Sequence, residues 1–138
     1  MKLTTLLQLA GLAHVGLLAA GALMPGVVGL RRHLAGVPPF VRHLMWVYYG
    51  FIGTSLACFG AVSFFLAAEL SAGSPLARAV CAFLAVFWTA RLLVAAFVFD
   101  LRPYLTSGWR WAGYHATNLA FAALPLIYAW AAWKGGRL

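Results

Sequence analysis

The chain predicts an all-α integral membrane protein, with four transmembrane helices folded as one compact antiparallel bundle. Three observations carry that expectation. The 138 residues are 64% hydrophobic and 9% charged, with a mean hydropathy of +0.91. Soluble domains carry charge on roughly 25% of their residues, so the solvent for most of this chain is lipid. Apolar runs long enough to cross a bilayer, about 20 residues at ~1.5 Å each, are separated by short segments rich in Pro, Gly and Arg. These runs lack the alternation of barrel strands, and a backbone in lipid must satisfy its own hydrogen bonds, so helices follow. Residues 1–138 form a single domain, with no room for a separate soluble one.

Span 1 is expected over about residues 3–30, ending at Arg31-Arg32. Its start, Met1-Lys2 and then apolar residues up to Ala20-Gly21-Ala22, has the outline of a signal peptide. The apolar stretch continues through Val27, Val28 and Leu30, longer than an ordinary h-region, so a retained helix is expected. A loop carrying Pro38-Pro39 and Arg42 leads to span 2, about residues 43–68, closed by Glu69. The short turn with Gly73 and Pro75 makes spans 2 and 3 an antiparallel hairpin. Span 3 covers about residues 79–99, and the segment from Asp100 to Arg110 joins it to span 4, about residues 111–133. Gly53, Ala57 and Ala61 recur every four residues in span 2, a seam of small side chains suited to close helix approach. Pro125 is expected to bend span 4, because its ring removes one helical hydrogen bond.

The net charge of +8 comes from ten Lys and Arg set against Glu69 and Asp100 alone. These cations flank the apolar runs, where they anchor helix ends and meet anionic headgroups, so nucleic acid is not the expected partner. Lys2, Arg78, Lys134 and Arg137 fall on one side, and Arg31, Arg32, Arg42, Arg102 and Arg110 on the other. The small excess puts the second side in the cytoplasm of a bacterial-type inner membrane. That side also gathers His33, His43, Trp46, Tyr48, Tyr49, Asp100, Tyr104, Trp109, Trp111, Tyr114 and His115. It is the richer face chemically.

Arg91 stands out because it lies inside an apolar run. A charge at that depth costs roughly 2.5–3.5 kcal/mol on insertion scales and usually faces a helix interior or a cavity. Counting helical rise, Arg91 lies about 12 Å below the polar-rich face, with Asn118 at the same depth in span 4 and Tyr49 about 10 Å down in span 2. Trp111, His115 and Asn118 share one helix face at i, i+4, i+7 spacing. The expected ligand site is therefore Arg91, His115, Asn118, Tyr49 and Arg102, open toward the loops. Asp100, about 13 Å from Arg91 along the same helix and on its opposite face, is expected to cap local structure or pair with Arg102 or Arg110.

Other chemistries fare less well. The histidines do not share a depth, which argues against a bis-histidine haem, and the sequence has no H-E-x-x-H, paired carboxylates, Ser elbow or phosphate loop. No cofactor and no metal are expected. His14 is expected to pack in the interior with an acceptor near Thr54 or Ser55. Cys58 and Cys81 lie at similar depth and become neighbours if both face the seam between spans 2 and 3.

The leading expectation is a non-catalytic subunit, assembly factor or lipid-binding module. Its partners would be membrane lipids, a lipid-like or quinone-like ligand, and further copies of itself or a larger membrane complex. The alternative is an intramembrane enzyme acting on a lipid, isoprenoid or quinone. There His115 would be the acid or base, Arg91 and Arg102 would hold an anionic group, and Tyr49 would assist. A transporter or channel would need paired repeats or several copies, and no internal repeat is evident.

Overall fold

The structure, a computed structural model, describes residues 2–135; Met1 and the tail cation Arg137 lie outside them. Among the described residues the only regular structure is helical. Helix α1 is Leu3–Val27, α2 the single turn Leu30–His33, α3 Pro39–Phe65, α4 Ala67–Ala72, α5 Pro75–Phe97 and α6 Gly108–Lys134, with a 3₁₀ turn at Arg102–Tyr104 before α6. The four long helices, α1, α3, α5 and α6, are each long and apolar enough to cross a membrane.

Element boundaries differ from the expected spans for local reasons. The first apolar run breaks at Gly29, whose φ of 63° is left-handed and stops α1 before a separate turn begins. Helices α3 and α5 start earlier than hydropathy alone suggests, because Pro39 and Pro75 occupy first-turn positions where the missing N–H costs nothing. Ser74 caps α5, its hydroxyl accepting from the Ala77 N–H at 3.1 Å. Gly73, at φ 73°, turns the chain out of α4. Pro25 and Pro125 are both carried inside continuous helices.

Helix α1 packs against α3, α5 packs against α6, and α1 also lies against α6. The sequence predicts that spans 2 and 3 pair as an antiparallel hairpin across a short turn. Instead α4 intervenes, packing on α1 and α5, and α3 reaches α5 mainly through aromatic side chains. Phe59 sits edge-on to Phe83 and Phe87, with ring centroids at 5.9 and 5.0 Å. Close helix approach occurs at Gly11 and Gly60, where α1 and α3 cross. A Cβ on Gly11 would stand 2.7 Å from the Phe64 Cβ, and one on Gly60 would stand 2.9 Å from the His14 Cβ. Ala57 and Ala61 of the expected seam are exposed, while Gly53 faces Leu18.

Burial within the long helices is confined to one end. In the long helices every buried residue falls within 3–17, 60–63, 77–88 or 121–131. Gly11 lies against Gly60, Arg78 against Ala132, and His14 against Trp88 and Tyr128, so these four stretches lie at the same end. Two polar ties fasten it: Thr4 and Ser71 share a hydrogen bond of 3.1 Å, and Arg78 Nε donates to the Ala132 carbonyl at 3.0 Å. The halves nearer the loops at residues 28–38 and 98–107 have no buried residue in the long helices. That end is open.

Candidate functional site

The site is built on the α5–α6 pair, just above the buried end. Trp88 and Arg91 lie three residues apart on α5, so they share a helix face turned toward α6. From α6, Phe121 meets both. Its ring stacks on Trp88 with centroids at 5.8 Å and planes 30° apart, and the Arg91 guanidinium carbon lies 4.7 Å from its centroid. Phe99, beyond the end of α5, closes over Arg91 at 5.4 Å. Two aromatic faces thus hold the cation through their quadrupoles. They accept no conventional hydrogen bond, and Nη1 of Arg91 is buried with no partner among the described residues.

Beside this clamp a cleft of about 520 Å³ opens between the end of α5, the loop and α6. Leu92, Ala95 and Phe99 form its apolar side, while Asp100, Arg102, Tyr114 and Asn118 supply its polar groups. Asp100 shapes the loop: its Oδ1 accepts from the Arg102 backbone N–H at 3.0 Å. Arg110 braces the same segment, donating from Nη1 to the Tyr104 carbonyl at 3.1 Å and to the Thr106 hydroxyl at 3.0 Å. A second hollow at the same end, about 260 Å³, is lined by Arg31, Leu34, Arg42 and Trp46.

Of the expected site residues, Arg102 and Asn118 line the cleft and Arg91 adjoins it through Phe99. His115 is exposed and outside the lining; it stacks on Trp111 at 5.4 Å with planes 25° apart. Tyr49 is placed elsewhere, because its hydroxyl donates to the Gly21 carbonyl and ties α3 to α1.

A second cluster, which sequence reasoning did not assemble, lies deeper. His14 from α1 is 1% exposed and sits edge-on to Trp88, Tyr128 and Phe59, with centroids at 5.1, 6.3 and 6.5 Å. The acceptor expected near Thr54 or Ser55 is instead the Ala10 carbonyl, to which His14 Nδ1 donates at 2.7 Å. Thr54 and Ser55 bond back to their own helix, at Gly50 and Phe51. Ser63 of α3 and Tyr128 of α6 share a buried hydrogen bond of 2.5 Å. Cys81 is wholly buried whereas Cys58 is exposed, so the two thiols do not meet across a seam. Among the described residues, no three His, Cys, Asp or Glu side chains come together as a metal site would require.

No protein-family profile, curated protein or solved structure matches the chain.

Proposed function

We propose that the protein is a non-catalytic lipid-binding module. Its four long helices form an antiparallel bundle across a bacterial-type inner membrane, and the cleft beside Arg91 takes the head of an anionic amphiphile. The observation that carries this reading is Arg91 itself. A guanidinium is always charged and offers five N–H donors in a planar fork. Here two aromatic rings fix that fork while Nη1 stays buried and unbonded. A carboxylate or phosphate would supply the missing acceptors in bidentate form and offset the charge. A neutral quinone would supply acceptors without the charge, and so fits less well.

The surroundings support the same chemistry. Arg102 adds a cation in the cleft wall, and the apolar side at Leu92, Ala95 and Phe99 suits an acyl chain. The second hollow at this end is also walled by arginines, Arg31 and Arg42, with Trp46 beside them. Such basic, aromatic-edged hollows favour anionic headgroups.

The test is lipid retention. The protein would be reconstituted in phosphatidylcholine nanodiscs doped with phosphatidylglycerol, and the lipid kept through detergent extraction counted by native mass spectrometry. Wild type is expected to keep the anionic lipid preferentially. Arg91→Gln should lower that retention about 10-fold or more, the value of a charge-assisted hydrogen bond. Arg91→Lys should fall between, because an ammonium keeps the charge and loses the fork. Equal retention in wild type and Arg91→Gln would refute the reading.

A further inference from the structure

The buried end contains a second site whose chemistry follows from hydrogen-bond sign alone. His14 and Trp88 are each 1% exposed, and each has one ring nitrogen with no partner, Nε2 of His14 and Nε1 of Trp88. Their ring centroids are 5.1 Å apart with planes at 80°. The two nitrogens have opposite needs. A carbonyl can only accept, so the bond to Ala10 fixes the proton of His14 on Nδ1 and leaves Nε2, in the neutral ring, with a lone pair. The indole Nε1–H of Trp88 can only donate.

We infer that His14 and Trp88 enclose one water molecule, which accepts from Trp88 Nε1–H and donates to His14 Nε2. The signs exclude other occupants. A cation would face the indole donor, and an anion would face the imidazole lone pair. A single group that both accepts and donates satisfies both. An alcohol head would need an opening for its chain, which the burial of both rings denies. Internal waters occupy sites of this kind, where two or more polar groups would otherwise be stranded, and leaving such groups unpaired in an apolar interior is expensive.

The location gives the water structural weight. His14 belongs to α1 and Trp88 to α5, helices that otherwise meet through α4 and α6. The Ser63–Tyr128 bond next to them joins α3 to α6. Together the two links fasten all four long helices at one level. This site shares no polar atom with the cleft proposed to hold lipid, so either can fail alone.

Nuclear magnetic resonance of the full chain in nanodiscs, with ¹⁵N-labelled Trp and His, tests it. The Trp88 indole signal is assigned from its own backbone and by its loss in Trp88→Phe. The expected result is magnetisation transfer from a bound water to the Trp88 Nε1–H, together with a His14 Nε2 shift typical of an accepting nitrogen. His14→Phe should abolish the transfer and move the indole proton upfield. If His14→Phe does not fold, His14→Gln serves, because its amide oxygen can restore the acceptor and should keep the transfer. Absence of transfer at Trp88 in wild type, or transfer unchanged in His14→Phe, would overturn the inference.

Discussion

The guanidinium carbon of Arg91 lies 4.7 Å from the centroid of Phe121, whose ring also stacks on Trp88 at 5.8 Å. Phe121 therefore joins the Arg91 clamp beside the loop-end cleft to the buried cluster around His14. Its two roles separate experimentally. Phe121→Leu keeps most of the apolar volume but removes the quadrupole under the cation. A cation–π contact is worth about 0.5–2 kcal/mol. The substitution should thus weaken anionic lipid retention roughly 2- to 30-fold while leaving the thermal midpoint nearly unchanged. Phe121→Ala removes the ring's buried volume as well. It should cost about 3–5 kcal/mol of stability, read as a large drop in that midpoint.

The crossing of α1 and α3 makes a sharper stability prediction. A Cβ on Gly60 would lie 2.9 Å from the His14 Cβ and 3.3 Å from the Gly11 carbonyl. Neither neighbour is the end of a flexible side chain, so the helices themselves must part. Gly60→Ala should lower stability by about 1–3 kcal/mol even after the gain in helix propensity. Gly16, also on α1, has nothing within 4 Å of its Cβ position. Gly16→Ala should be neutral or stabilising by up to about 1 kcal/mol. Tryptophan fluorescence during heating in detergent measures both variants, and a destabilised Gly16→Ala beside an unaffected Gly60→Ala would contradict the crossing.

The two cysteines differ in burial enough to be told apart chemically. Cys81 is fully buried among α5 and its neighbours, and Cys58 faces outward from α3. With N-ethylmaleimide on the folded protein in detergent, Cys58 should label at least about 10-fold faster than Cys81, since reactivity follows access and thiolate character. Copper-phenanthroline oxidation should give no Cys58–Cys81 disulfide within one chain. Cys58→Ser and Cys81→Ser report each site separately by mass spectrometry. Rapid labelling of Cys81 in the folded state would mean that α5 does not pack as described.

What the sequence made legible was set by hydropathy and helical rise. Four apolar runs gave the four long helices, and depth counting put Arg91 and Asn118 at the same end of α5 and α6, where Asn118 lines the cleft beside the Arg91 clamp. Rise along an axis says nothing about rotation around it, and there the reading stopped. Tyr49 has a depth that would suit the cleft, yet its hydroxyl turns to Gly21 of α1. Trp111, His115 and Asn118 share a helix face, but only Asn118 of the three lines the cleft. Gly53, Ala57 and Ala61 had the spacing of a packing seam, while the crossing lies at Gly60, one residue round the helix from Ala61. The Arg91 clamp was not visible, since it is made by Phe99 beyond the end of α5 and Phe121 of α6. Nor was the convergence of His14, Ser63, Trp88 and Tyr128, because it depends on which faces of four separate helices meet.

The Ser63–Tyr128 bond offers the most direct test of that convergence. The two hydroxyls are 65 positions apart in sequence and lie 2.5 Å apart, both essentially inaccessible. Removing either one strands its partner in an apolar interior, where a lost buried hydrogen bond costs about 1–3 kcal/mol. Removing both strands neither. Ser63→Ala and Tyr128→Phe should therefore each destabilise by about 1–3 kcal/mol, and the double variant should lose clearly less than their sum, a coupling of roughly 0.5–3 kcal/mol. Denaturant unfolding in mixed micelles gives all four corners of the cycle. Strict additivity would show that α3 and α6 do not meet at these residues, and it would remove the polar link between those two helices at the buried end.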